Sequence, residues 1–262
     1  MTVKIVVATH KRYEMPSDNM YLPIQVGKDF SKSDLGYTGD NTGINISKKN
    51  PNYCELTAMY WAWKNVQADY IGLAHYRRHF CNRSWFSDFM TGRKELVLKS
   101  DHLARILDKY DAVLPKKRHY WIETLWSHYE HTHNIKDLAK TKEIINRDFP
   151  EYINAFDQVM NRRSAHMFNM FIMKRDIFEE YSKWMFEILF KLEKSIDTSN
   201  YSRREARVFG YISELLLDVW LEVNQINYGE LPVMFMEKQN WFRKVFIFLK
   251  AKFGTSHKTA KV

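Results

Sequence analysis

Cysteine is almost absent from this chain. Its 262 residues include two, Cys54 and Cys81. They lack metal-site spacing, which excludes a disulfide framework and fits a reducing compartment. No apolar run reaches the ~18 residues that a membrane-spanning helix needs. There is no glycine-rich phosphate loop and no dinucleotide fingerprint, so any nucleotide must be held by other groups. No internal repeat is visible, which excludes a solenoid. No signal-peptide pattern precedes the first apolar stretch, and a cytoplasmic location is expected.

Hydrophobic residues make up 45% of the chain, which marks a globular protein able to bury a large core. The formal net charge is +9 and the sequence pI about 9.3. Such a balance points to an anionic partner: a nucleotide, a nucleic acid or an anionic membrane. No nucleic-acid-binding motif accompanies it, so nucleic acid is not the expected partner. Aromatic residues reach 15%, with 8 Trp and 15 Tyr. They suit stacking surfaces as well as an aromatic core.

Short β-branched and apolar runs punctuate the chain, as in a mostly parallel α/β sheet. Residues 4–9 read as the first strand, followed at once by His10, Lys11 and Arg12. Residues 70–74 form a second buried run, followed by His75, Tyr76, Arg77, Arg78 and His79. Residues 110–115 form a third, followed by Lys116, Lys117, Arg118 and His119. Ligands of open α/β sheets bind beyond the carboxyl ends of the strands. Three basic ends of this kind describe a phosphate-binding crevice, with Arg77 and Arg78 offering forked, charge-assisted hydrogen bonds. Residues 21–26 and 231–236 read as further strands, and residues 162–173 as a polar lead into another.

Apolar spacing predicts helices over 52–65, 101–109, 135–145, 149–160, 175–194 and 203–222. In the first, Asn52 and Glu55 have the spacing of a capping box. In the last, Glu214 and Asp218 lie four apart and share a face. Residues 31–52 read as a long loop, in which Asp40, Asn41 and Asn45 can contact a nucleoside or serve only in Asx turns. Between residues 120 and 133 stand Trp121, Glu123, Trp126, His128, Tyr129, His131 and His133. His131 and His133 cannot share a helical face, so sugar stacking is the better functional reading than metal ligation.

Several of these runs resemble a bacterial family of glycosyltransferases found in capsule, exopolysaccharide and O-antigen gene clusters. They are Asp40-Asn41, Asn45-Ile46-Ser47, Tyr53-Cys54-Glu55-Leu56-Thr57, Tyr60-Trp61-Ala62-Trp63-Lys64-Asn65, Gly72-Leu73-Ala74-His75-Tyr76-Arg77-Arg78, Arg163-Ser164-Ala165-His166-Met167-Phe168-Asn169-Met170 and Gly210 with Ser213-Glu214-Leu215-Leu216-Leu217-Asp218. The family's common label is a domain of unknown function, and some members are described as galactofuranosyltransferases. The resemblance spans residues 3–241. It implies one α/β domain like the GT-A glycosyltransferases, over residues 1–240, with a mostly parallel sheet, flanking helices and a helical C-terminal part. It also implies a nucleotide-diphosphate donor, with UDP-linked galactofuranose as one candidate, and a lipid-linked capsular, exopolysaccharide or O-antigen acceptor. A non-catalytic nucleotide-sugar or glycan-binding protein is the alternative.

On this reading Thr9, His10, Lys11, Asp40, Asn41, Asn45, His75, Tyr76, Arg77 and Arg78 bind the donor. Trp121, Glu123, His128, Arg163, His166 and Asn169 bind the acceptor sugar. Glu214 is the expected base of an inverting transfer, with Asp218 as second choice. Many GT-A enzymes carry an Asp-x-Asp metal motif, whereas this chain has His75-Tyr76-Arg77-Arg78 at the best candidate position. Arginine charge can replace a metal on the leaving diphosphate, so Mg or Mn is a possible cofactor and not a required one. Residues 241–262 read as a basic amphipathic tail suited to an anionic membrane surface.

Overall fold

The computed structural model describes residues 1–82 and 93–237. In chain order the strands are β1 (Val3–Thr9), β2 (Tyr21–Gln25), β3 (Thr38–Gly39), β4 (Tyr70–His75), β5 (Arg78–Phe80), β6 (Ala112–Pro115), β7 (Arg118–His119), β8 (Ser164–Ala165), β9 (Phe171–Lys174), β10 (Tyr228–Leu231) and β11 (Val233–Phe235). The helices are α1 (Asn50–Tyr53), α2 (Leu56–Asn65), α3 (Ser100–Leu107), α4 (Leu125–Thr132), α5 (Ile135–Asp148), α6 (Ile153–Met160), α7 (Arg175–Glu193) and α8 (Val208–Asn224).

The main sheet runs β10-β6-β9-β4-β1-β2-β3. Its strands are parallel except β9, which is antiparallel to both β4 and β6. This is the expected α/β architecture. Alternation along the strands accounts for its burial on both faces. Val6, Ala8, Ile71, Leu73, Ala112, Leu114, Phe171 and Met173 pack on one side with α2 and α5–α8. Ile5, Val7, Ala74, Val113 and Ile172 face the other side, with α3. Gly72 is required where β9 crosses closest to β4. A Cβ there would sit 2.9 Å from the Phe171 carbonyl oxygen and 3.0 Å from the Ile172 side chain.

Three departures from the sequence reading bear on the ligand-binding edge. The helix expected over 52–65 is two helices, broken at Cys54, whose φ is 52°. Asn52 caps nothing and instead donates its amide to the Ala206 carbonyl oxygen at 2.7 Å. The last helix begins at Val208, after a 3-10 turn over Glu205–Arg207. The strand expected over 231–236 is split by Pro232: β10 extends the main sheet beside β6, while β11 turns away to pair with β5. The amphipathic tail read in residues 241–262 lies outside the described residues.

Candidate functional site

Because β1, β4 and β6 are parallel, their three basic carboxyl ends share one edge of the sheet. β4 and β5 make a hairpin in which His75 pairs with Arg78 and Tyr76-Arg77 form the turn. Tyr76 is buried, its ring perpendicular to His10 at 5.3 Å. Lys11 and Arg77 each lie 5.2 Å from the Tyr76 ring centre. Both also reach Glu237, at 3.2 and 3.5 Å. Arg78 is held between two aromatic rings, 4.6 Å from Phe168 and 5.6 Å from Phe235. Its buried Nε has no hydrogen-bond partner, and burial lowers its pKa. His10 is exposed at the tip of β1, and burial of its ring with the charges of Arg77, Lys11 and Arg207 lowers its pKa. Thr9 is fully buried and turned into its own chain, donating its hydroxyl to the Lys11 carbonyl oxygen at 2.6 Å.

Two carboxylates face this basic edge. The break at Cys54 swings Glu55 inward, where it is 8% exposed. Asn169 Nδ2 donates to Glu55 Oε1 at 2.8 Å, and His75 Nε2 stands 3.7 Å from the same oxygen. Burial pushes the Glu55 pKa up, but His75 and Asn169 outweigh it and hold it down at about 2. Asn169 is fixed in turn by the Gly210 carbonyl oxygen at 3.1 Å and the Ser213 hydroxyl at 3.0 Å. On the next turn of α8 stands Glu214. Burial, then the charge of Glu55, push its pKa up to about 7, against the Phe168 backbone amide, Arg78 and Arg118. The arrangement holds one carboxylate ionised and the other close to half-protonated at neutral pH.

Backbone strain gathers at the same place. Of five described non-glycine residues with positive φ, Cys54, Phe168 and Asn169 line the carboxylate pair, and Trp121 sits at the end of the β7–β8 ribbon. Such conformations persist where the surroundings over-determine them, and they cluster at functional sites. Among the described residues no three His, Cys, Asp or Glu side chains converge in a way that could hold a metal ion. The described groups at the crevice are imidazoles, guanidiniums and two carboxylates, of which Glu55 already accepts from Asn169. That donor set does not fit a hard divalent cation, which seeks several free oxygens.

Other residues expected at the site are elsewhere or occupied. The Asp40 carboxylate is fully buried and accepts from the Gly27 and Lys28 amides at 2.8 and 3.1 Å and the Ser47 and Thr57 hydroxyls at 2.5 and 2.6 Å. Asn41 donates to Asp29, and Asn45 bonds Asn41, Gly43 and Ser47 within the same loop. That loop leaves the sheet at the carboxyl end of β3 and follows α2 to its C-terminal end, where Asn65 holds Ile44. It is the Asx-turn chemistry that holds here.

Asp218 is not beside Glu214 in the crevice. One turn along α8 it is buried against His166, which gives it a backbone amide at 3.0 Å and a ring Nδ1 contact. His166 is itself fully buried, with Nε2 2.9 Å from Glu230, and cannot reach an acceptor. Glu123 is 4% exposed and takes both His128 Nδ1, at 2.8 Å, and His131 Nδ1, at 3.0 Å. It orients histidines rather than sugar hydroxyls. Trp121 is 79% exposed, and Arg163 Nη1 donates to its carbonyl oxygen at 3.2 Å.

Sequence reasoning misses Glu55, because as the capping-box partner of Asn52 it would be exposed. The signal against exposure is its place among Tyr53, Cys54 and Leu56, apolar neighbours that an exposed first turn does not require.

The matched family model is "Domain of unknown function (DUF4422)", over residues 4–225. The chain belongs to that family. No curated protein matches it. Among solved structures it is similar to the WbbM bifunctional glycosyltransferase in its apo form, at 33% identity and a TM-score of 0.82. The alignment covers 91% of this chain and 46% of that one, so the chain spans under half of that protein's length.

Proposed function

We propose that this member of the family is a glycosyltransferase of bacterial polysaccharide synthesis that moves a sugar from a nucleotide-diphosphate donor to a glycan hydroxyl. The observation that carries this reading is the carboxylate of raised pKa, Glu214, facing an arginine whose Nε lacks a partner. Likeness to a bifunctional glycosyltransferase supports the reaction class. In the step, the acceptor oxygen attacks the anomeric carbon and the bond from that carbon to the diphosphate oxygen breaks. The acceptor proton passes to Glu214, and the electron pair leaves on the diphosphate. A base with a pKa near the working pH is suited to this transfer. Arg77 and Arg78, with His75 and Lys11 beside them, bind the diphosphate and stabilise its charge as it departs. With Glu55 held by Asn169 and Glu214 serving as the base, inversion at the anomeric carbon is the favoured outcome.

The donor is a UDP-sugar, with galactofuranose the first candidate. The acceptor is a lipid-linked oligosaccharide at the inner face of the cell membrane. The sequence of residues 241–253, with Trp and Phe among Lys and Arg, supports peripheral attachment. Among the described residues no helix is long and apolar enough to cross a membrane. No divalent cation is required, a reading supported by the crevice's arginines and the engagement of Glu55.

The test is a calorimetric and mass-spectrometric screen of UDP-sugars with and without Mg, Mn or chelator. UDP-galactofuranose is expected to bind and to be consumed under chelation. A parent protein that binds no nucleotide-diphosphate sugar overturns the reading.

A further inference from the structure

We propose that the turn Tyr120-Trp121-Ile122 is the acceptor platform of this crevice, on which the Trp121 indole receives the C–H face of a sugar ring. The inference rests on the glycosyltransferase reading above and specifies its second substrate site.

The turn is built with strain. Trp121 has φ 53°, and the Ile122 amide donates back to the Tyr120 carbonyl oxygen at 2.5 Å. This closes a γ-turn, a conformation that tryptophan does not adopt unaided. Its surroundings impose it. The β7–β8 ladder pairs Arg118 with Ala165 and His119 with Ser164. The Tyr120 amide donates to the Arg163 carbonyl oxygen at 2.8 Å, and the Arg163 guanidinium returns to the Trp121 carbonyl oxygen at 3.2 Å. Just beyond, Thr124 and Ser127 form the capping box that starts α4. The product of this scaffolding is a tryptophan 79% exposed beside an isoleucine 60% exposed.

Two features point to a glycan. Among the described residues of this turn the exposed large apolar side chains are these two, and exposed Arg118, His119, Glu130 and His131 lie close by in the chain. A protein-docking surface needs a broader apolar core, whereas a sugar has one C–H face and a rim of hydroxyls. The rim finds partners here. The His119 ring lies 5.7 Å from Trp121, and the His128 ring 4.3 Å from Tyr120. Buried Glu123 holds Nδ1 of both His128 and His131. Their orientation is thereby fixed, with Nε2 as each ring's remaining polar atom.

The turn also lies within electrostatic reach of the base. Arg118 is among the charges acting on Glu214, and Glu214 acts on Tyr120. Arg78 acts on Glu214 from the β4–β5 hairpin, two strands across the sheet from β6. Donor and acceptor would therefore approach Glu214 from different strands.

The experiment uses full-length protein labelled with 5-fluorotryptophan. Trp121 is assigned among the 8 Trp by the fluorine resonance lost in Trp121→Phe. Octyl β-galactopyranoside is the acceptor probe and UDP the donor-site probe. The galactoside is expected to shift the Trp121 resonance. In transfer from UDP-galactofuranose, Trp121→Ala is expected to raise the galactoside KM by about 10-fold or more, with Trp121→Phe restoring most of the loss. UDP affinity should stay near parental in both variants, which also reports folding. A Trp121 resonance unmoved at saturating galactoside, or a parental KM in Trp121→Ala, overturns the platform. If UDP binds while Trp121 stays unmoved, only the platform falls. If UDP does not bind the parent, the glycosyltransferase reading falls first.

Discussion

Two buried acids show how similar residues come to different ends. Asp40 sits in a nest of two backbone amides and two hydroxyls, all within hydrogen-bond distance. Its capacity is used up, and what it does is tie the 38–47 loop to the Gly27-Lys28 turn and to α2. In the Glu55–Glu214 pair Glu55 is buried and Glu214 half-buried, yet the polar groups around them are incompletely used. His75 Nε2 and Arg78 Nε are both buried without a hydrogen-bond partner. Leaving such groups unpaired is costly, so they mark places where something other than the fold is served. Saturation of hydrogen-bonding capacity, not residue type, separates the two clusters.

The sharpest way to break this comparison is Glu214→Gln. It is expected to cut sugar transfer by about 10³-fold while UDP affinity persists. Single-turnover consumption of UDP-galactofuranose measures it, and near-parental turnover would remove Glu214 from the role of base. Asp40→Ala should do the opposite, lowering unfolding stability in urea by about 3 kcal/mol because several buried donors lose their acceptor together. A stable Asp40→Ala protein defective only in UDP binding would reverse the assignment of the two clusters.

Arg78→Ala comes next in size, with UDP affinity falling about 10- to 100-fold by calorimetry and melting temperature little changed.

The pH dependence is smaller and carries a sign. The Glu214 pKa is raised from its ordinary value of 4.5 to about 7. Below pH 7 the base is protonated and transfer slows. Between pH 4.5 and 7 the folded state holds this proton more tightly than the unfolded chain, so this group's contribution to stability declines as pH rises through that window. Glu214→Gln should flatten both profiles. A parental stability curve unaltered by Glu214→Gln would show that the proton is not held there.

Smallest of all, Glu237→Gln frees Lys11 and Arg77 from an exposed ion pair. UDP affinity should change by no more than about threefold.

Much of the fold is legible in the sequence alone. Runs such as residues 4–9 and 70–74 contain no charge after their first residue and end in basic clusters. That pattern is enough to predict parallel strands and a shared ligand-binding edge. Arg78, Glu214 and Trp121 stand out as candidates for related reasons, each being a polar or aromatic group placed where the apolar pattern stops or is interrupted. Glu55 is not legible, because its inward turn depends on a positive φ at Cys54, which helical spacing cannot report. The pairing of Asp218 with His166 is not legible, because a buried acid–imidazole pair has the composition of a catalytic one. Only their burial and the proximity of Glu230 show that they brace the loop bearing Phe168 and Asn169. The partners of Asp40 come from residues 27 to 57, a convergence that no short motif announces.

The place of Phe235 in the wall around Arg78 has a consequence for biosynthesis. Arg78 leaves the ribosome early, with the first strands of the sheet, whereas β11, which pairs with β5 and carries Phe235, emerges at the far end of the described chain. Pairing at such sequence separation closes late, after the local helices have formed. Until then Arg78 stands against Phe168 at most, and the half-made crevice exposes a cation and aromatic surface to whatever the nascent chain meets. On the proposed reading, competence to hold a diphosphate follows the pairing of β11 with β5. A stall or truncation ahead of residue 233 would leave most of the sheet and nearly all the helices in place around a slot open on one side.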